Sequence, residues 1–151
     1  MDEQIEVFRN ITASQEKYDY FLMSVAGAAI AFAIHRTTGN ALNRPMVLLG
    51  VAVFLWATSF LAGIRRRNYI ASNLFANFEL LKVKSGAHPE IGNHPVKIAA
   101  AEKGINNACE YNTKRAEFWA NVQLYSLIIG ALFFIVWHII DMSLQAKITA
   151  L

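Results

Sequence analysis

Three uncharged windows dominate the pattern of polar and apolar positions: Tyr20 to His35, Pro45 to Ile64 and Asn121 to Ile140. Each approaches the roughly 20 residues that cross a hydrocarbon core as a helix. The first is the shortest, and it spans only with Tyr18, Tyr20 and His35 at the two interfaces. The pattern predicts an all-α integral membrane protein with transmembrane helices over 20–35, 45–64 and 121–140. Buried helices of a soluble protein are the competing reading, but three such runs in 151 residues leave too little polar chain to cover them.

The periodicity continues between the windows. Residues 1–19 form a helix, with Asp2, Glu3 and Glu6 facing its N-terminal dipole and Ile5, Phe8 and Ile11 on one face. Gly39-Asn40 and Pro45 mark a tight turn over Thr37 to Arg44. After the second window, Ile70, Leu74, Phe78 and Leu81 extend a stripe at helical spacing to Lys84-Ser85-Gly86, where glycine is a natural C-cap. Ile98, Ala101, Ile105, Ala108, Asn112 and Trp119 then recur at near-heptad spacing. The second and third spans are thus expected to extend into a helical hairpin over 65–120, with its turn at 86–95 and a bend at Gly104. The whole chain, 1–151, reads as a single helical membrane domain.

Composition agrees. The chain is 55% hydrophobic and 17% charged, against about a quarter charged in soluble domains. That balance also excludes disorder. The start, Met1-Asp2-Glu3, lacks the basic region of a cleavable signal, so none is expected. Lys and Arg set the orientation: two lie in 1–19, two in 36–44, nine in 65–120 and one in the C-terminal tail. By the positive-inside rule, the N-terminus and hairpin are cytoplasmic and the C-terminus is outside the cell (inner) membrane. Tyr18, Tyr20, Trp119, Tyr125 and Trp137 fit interfacial anchors, whereas Trp56 lies mid-span and is expected between helices. Residues 1–19 are net acidic and 65–120 net basic, so the first helix is expected to dock along the hairpin.

Candidate chemistry is sparse. No Asp, Glu, Lys or Arg lies within the spans, which disfavours a secondary transporter. Small-x-x-x-small pairs are the clearest feature: Gly27 with Ala31, Ser59 with Gly63, and Ser126 with Gly130. They serve packing within one chain or between copies. The hydroxyls of Ser24, Thr58, Ser59 and Ser126 either line a narrow polar path or bond back to their own helices. Arg65, Arg66 and Arg67 mark the membrane face, where headgroup contact is the cheapest role and no nucleic acid is expected.

His88, Glu90 and His94 offer metal-type ligands in the turn, although both histidines precede proline and equally make a stiff turn. His35 and His138 sit near the outer ends of the first and third spans, where they snorkel to water, sense pH, or ligate haem or metal. Asn73 and Asn77 are placed to set the hairpin register or to line a groove. Cys109 has no catalytic companion, and no enzymatic motif or cofactor site is expected.

The layout of a short N-terminal helix, closely spaced spans and a cytoplasmic helical module resembles small bacterial membrane effectors of the SLATT kind, associated with nucleotide-signalled defence and pore formation. The resemblance covers the first two spans and the helix after them. The third span departs from it, and no residue carries over. The expectation is a homo-oligomer forming a channel or pore-type effector gated through its hairpin. The rivals are a non-conducting membrane anchor or scaffold for a soluble partner and a haem- or metal-binding membrane subunit.

Overall fold

The computed structural model describes residues 2–37 and 45–149, and the side chains of 2–5, 7–9, 11–12 and 146–149 lie outside that description. Among the described residues the chain is all-helical: α1 Asp2–Thr37, α2 Met46–Lys84 and α3 Pro95–Thr149. All three are long and apolar enough to cross a membrane. The 38–44 turn, the Ile5/Phe8/Ile11 face and the tail cation Lys147 lie outside the described residues and side chains.

Two of the helices run on across several expected segments. The N-terminal helix and the first apolar window form one continuous α1, because nothing between Glu16 and Phe21 interrupts the helical ladder. Likewise α3 runs unbroken through Gly104, whose missing side chain faces open space. A single exposed glycine lowers helix propensity by about 1 kcal/mol, too little to break a helix of this length.

Helix ends follow local chemistry. His35 and Arg36 occupy the last turn of α1, and Lys82 and Lys84 that of α2, where cations oppose the negative dipole end. The Thr37 hydroxyl donates to the carbonyls of Ala33 and Ile34. Gly86 closes α2 at φ 70°. Its N–H bonds to the Val83 carbonyl at 3.2 Å, and the Ala87 N–H reaches back to the Lys82 carbonyl at 3.0 Å. This is a Schellman cap, which needs a residue at ease in the left-handed region. Pro95 then opens α3, where its missing N–H costs nothing.

The chain divides into two compact units, 1–63 with 122–151, and 64–121. The first unit is a three-helix bundle of up-down-up order. Met23, Gly63 and Gln123 meet at one level, and Ala33, Leu49 and Trp137 belong to a core cluster at another. That cluster also holds Ala52 and Trp56, with Phe133 and Phe134 against it.

The second unit pairs the distal half of α2 with the first half of α3 in antiparallel register. Asn73 Nδ2 donates to Thr113 Oγ1 at 2.8 Å, and Cys109 Sγ lies 3.9 Å from Asn77 Oδ1. Covered or half-covered positions alternate three and four residues apart: Tyr69, Asn73, Ala76, Leu80 and Val83 on α2, and Ile98, Glu102, Ile105, Cys109, Asn112 and Ala116 on α3. That is the seam of a coiled coil, here filled largely by small and polar residues. The stripe of Leu74, Phe78 and Leu81 therefore faces outward, at 51–66% exposure, with Phe75 beside it at 67%.

Candidate functional site

In the bundle, the small residues of two of the pairs face other parts of the same chain. A side chain on Gly63 would come within 2.8 Å of both Gln123 Nε2 and Met23 Cγ, and one on Gly130 within 2.7 Å of Trp56 Nε1 and 3.2 Å of the Ala52 carbonyl. Ser59 is buried and donates to the Gln123 carbonyl at 2.7 Å. Ser126 is buried and bonds back to the Val122 carbonyl. The Thr58 hydroxyl is likewise taken by Phe54 in its own helix. Three of the four hydroxyls considered for a polar path are thus spent on backbone carbonyls.

The remaining pair is different. Gly27 is half-buried with nothing within 4 Å of a side chain placed there, and Ala31 is exposed. Ser24 and Ala28, also exposed, share that face of α1.

Two buried polar residues were not singled out from the sequence. Gln123 is fully buried, and neither end of its amide has a hydrogen-bond partner within the protein among the described residues. Its signal was present: a carboxamide two residues inside an uncharged run of 20. Asp19 is also buried and engaged in an interaction, although it stands just outside the first apolar window and reads as one of five acids on an exposed helix. Only packing separates it from Glu16.

The aromatic residues divide between surface and core. Tyr18, Tyr20 and Tyr125 are exposed as interfacial anchors would be. Trp56, read as packing between helices, donates its indole N–H to the Leu127 carbonyl at 3.3 Å and lies against Phe134. Trp137, read as an anchor, instead faces inward. It is 3% exposed and packs on Phe134, and its indole N–H has no partner within the protein among the described residues. The reason is helical phase: Trp137 shares a face with Gly130, which lies against Trp56 and Ala52 of α2, and with Phe133, which packs on the core cluster.

At this end of the bundle a cavity of about 380 Å³ is lined by Phe32, His35, Arg36, Phe134, Trp137 and His138. The paired histidines of α1 and α3 thus line one space. His138 stacks on Phe134 with rings nearly parallel and centroids 6.2 Å apart, and Phe32 meets Phe134 edge-on at 6.0 Å. The lining is aromatic, with Arg36 and two imidazoles as its polar groups. Asp141, a turn beyond His138, accepts a hydrogen bond from Gln145 and is not in the lining. Among the described residues no three metal-ligating side chains cluster.

That absence extends to the turn of the second unit. His88 Nε2 points to Glu79 at 3.9 Å, and His88 Nδ1 accepts the Glu90 N–H at 3.3 Å. The imidazole is used in turn structure, and His88, Glu90 and His94 do not converge. The exposed Glu110–Lys114 pair, 2.6 Å apart one turn along α3, holds the Glu110 carboxyl below its usual range and the Lys114 amine above its own, in each case through their shared hydrogen bond first and charge second. Of the arginine cluster, Arg65 is exposed, while Arg66 and Arg67 are half-buried and engaged.

Comparison with family models, curated proteins and solved structures gave no match.

Proposed function

We propose that the chain is a multi-pass membrane protein without enzymatic activity that associates with copies of itself, and that a channel or pore-type pathway, gated by the helical pair 64–121, runs between the copies. The observation that carries the membrane reading is the outward belt of large apolar side chains on all three helices of the bundle. It includes Phe21, Phe32, Val47, Phe54, Leu61, Leu132, Ile135 and Ile139, all at least half exposed. Monomeric soluble proteins rarely expose so large an apolar surface. Charge distribution supports a cytoplasmic N-terminus and helical pair in a cell membrane, with nine cations between residues 65 and 120.

The path is assigned between copies because the bundle interior is filled. Ala26, Ala52, Trp56, Ala62 and Gln123 occupy it with 5% exposure or less. A gate working through Ser59/Gly63 and Ser126/Gly130 would act inside one protomer, so the face of Gly27 and Ala31 is the contact between protomers. Its small residues suit close helix approach in lipid.

Oligomeric mass in nanodiscs, followed by single-channel recording on the same sample, tests this reading. A closed ring that conducts, with Gly27→Leu and Ala31→Leu reducing both ring size and conductance, is the expected result. A monomer that never conducts refutes it.

One observation favours a second reading, a non-conducting anchor for a soluble partner. Leu74, Phe75, Phe78 and Leu81 form an exposed apolar stripe on the second unit, outside the spans. Co-purification of one protein at fixed stoichiometry, lost on Phe75→Ser with Phe78→Ser, would establish it.

A further inference from the structure

We propose that the cavity lined by Phe32, His35, Arg36, Phe134, Trp137 and His138 binds an anionic amphiphile, its phosphate-bearing head at Arg36 and the imidazoles and its chain against Phe32 and Phe134. The proposal rests on the membrane reading above.

Four observations converge on it. Among the described residues the lining contains no carboxylate, and its permanent charge is the guanidinium of Arg36, which is already engaged in an interaction but presents a planar fork of five N–H donors that suits phosphate oxygens. His35 and His138 can each present a donor from a different helix, so the head would be held between α1 and α3. Trp137 is also in the wall, and its indole N–H, although buried, has no acceptor within the protein among the described residues. A wall that offers donors and, among the described residues, no acid suits the acceptor oxygens of a phosphate. The rest of the surface is aromatic, and at about 380 Å³ the space admits a headgroup and the first carbons of a chain but not a whole lipid. The chain would continue along Phe32, which is 55% exposed on the outer surface of α1.

Position supports the same chemistry. Arg36 and His35 stand in the last turn of α1, directly after its apolar window. This is the depth at which a charged head meets a hydrocarbon surface.

The full chain would be reconstituted in phosphatidylcholine nanodiscs containing a minor fraction of phosphatidylglycerol. Lipid retained by the protein would be identified by native mass spectrometry. Wild type is expected to retain phosphatidylglycerol in excess of its mole fraction. Arg36→Gln should cut that excess about fivefold, the worth of one cation near a lipid surface, and Arg36→Gln with His35→Gln should abolish it.

Both side chains are exposed, so the bundle should stay folded; Lys103→Gln, exposed on the second unit and outside the lining, should change nothing. Wild type without preference, or variants that keep it, overturns the proposal. Displacement of the retained lipid by inorganic phosphate at millimolar concentration assigns the site to a free anion and overturns the lipid occupant. A chain that alkaline carbonate strips from vesicles fails the membrane reading itself, and this proposal with it.

Discussion

Replacing Gln123 with methionine should leave the bundle as stable or make it more stable. The side chain is fully buried, and both amide atoms lack partners within the protein among the described residues. An unpaired buried donor or acceptor costs about 1–3 kcal/mol. In lipid the separated helices also lack water, which reduces the difference to about 1–2 kcal/mol. Methionine is near in volume, and such exchanges cost less than about 1.5 kcal/mol in packed cores. The balance runs from a loss of roughly 0.5 kcal/mol, close to no change, to a gain of roughly 2 kcal/mol. Reversible unfolding by sodium dodecyl sulfate, followed by tryptophan fluorescence, measures it directly. Because Gly63 lies against the Gln123 amide, Gly63→Ala and Gln123→Met should combine non-additively. A methionine variant weaker by more than about 2 kcal/mol would mean that the amide is well partnered, and would refute the reasoning. A gain would mark Gln123 as a residue kept at the expense of stability.

Gly130→Ala should destabilise the bundle by about 1–3 kcal/mol, since the new methyl displaces the Trp56 indole from its bond to the Leu127 carbonyl; the same unfolding assay would show no loss if the helices can separate freely. Gly86→Ala should cost about 1–2 kcal/mol because of its positive φ, with overlap against Asn93 added; amide exchange at Ala87 should accelerate. In the Glu110–Lys114 pair the lowered carboxyl stabilises the fold above its unfolded value near 4.5, an advantage lost as pH falls through the lower folded value. The raised amine contributes below its unfolded value near 10.5 and loses that contribution as pH rises through the folded one. Side-chain NMR should show the Glu110 midpoint rise in Lys114→Gln, and an unmoved midpoint would dismiss the pair.

Much of this architecture was readable because it depends on local terms. Uncharged windows of spanning length and Gly86 at a helix end each state their role within a few residues. Helical phase was harder to read. Leu74, Phe78 and Leu81 keep helical spacing, yet the seam runs through Asn73, Ala76 and Leu80, one register away. Hydrophobicity alone points a stripe inward, whereas cross-helix hydrogen bonds and close approach of small residues selected the other face.

Helical elements throughout the described residues, three of them able to cross a membrane, follow from runs of apolar residues and from local caps, which are properties of short stretches of sequence. Which faces meet depends on how the three helices pack. That packing turned Trp137 from a surface anchor into a core residue, buried Asp19 and Gln123, set Gly63 and Gly130 against neighbouring side chains, and brought His35 and His138 to one cavity. Those outcomes depend on the rotation of each helix about its axis. A residue's own neighbours in sequence do not fix that angle; the shapes of side chains from all three helices fix it together.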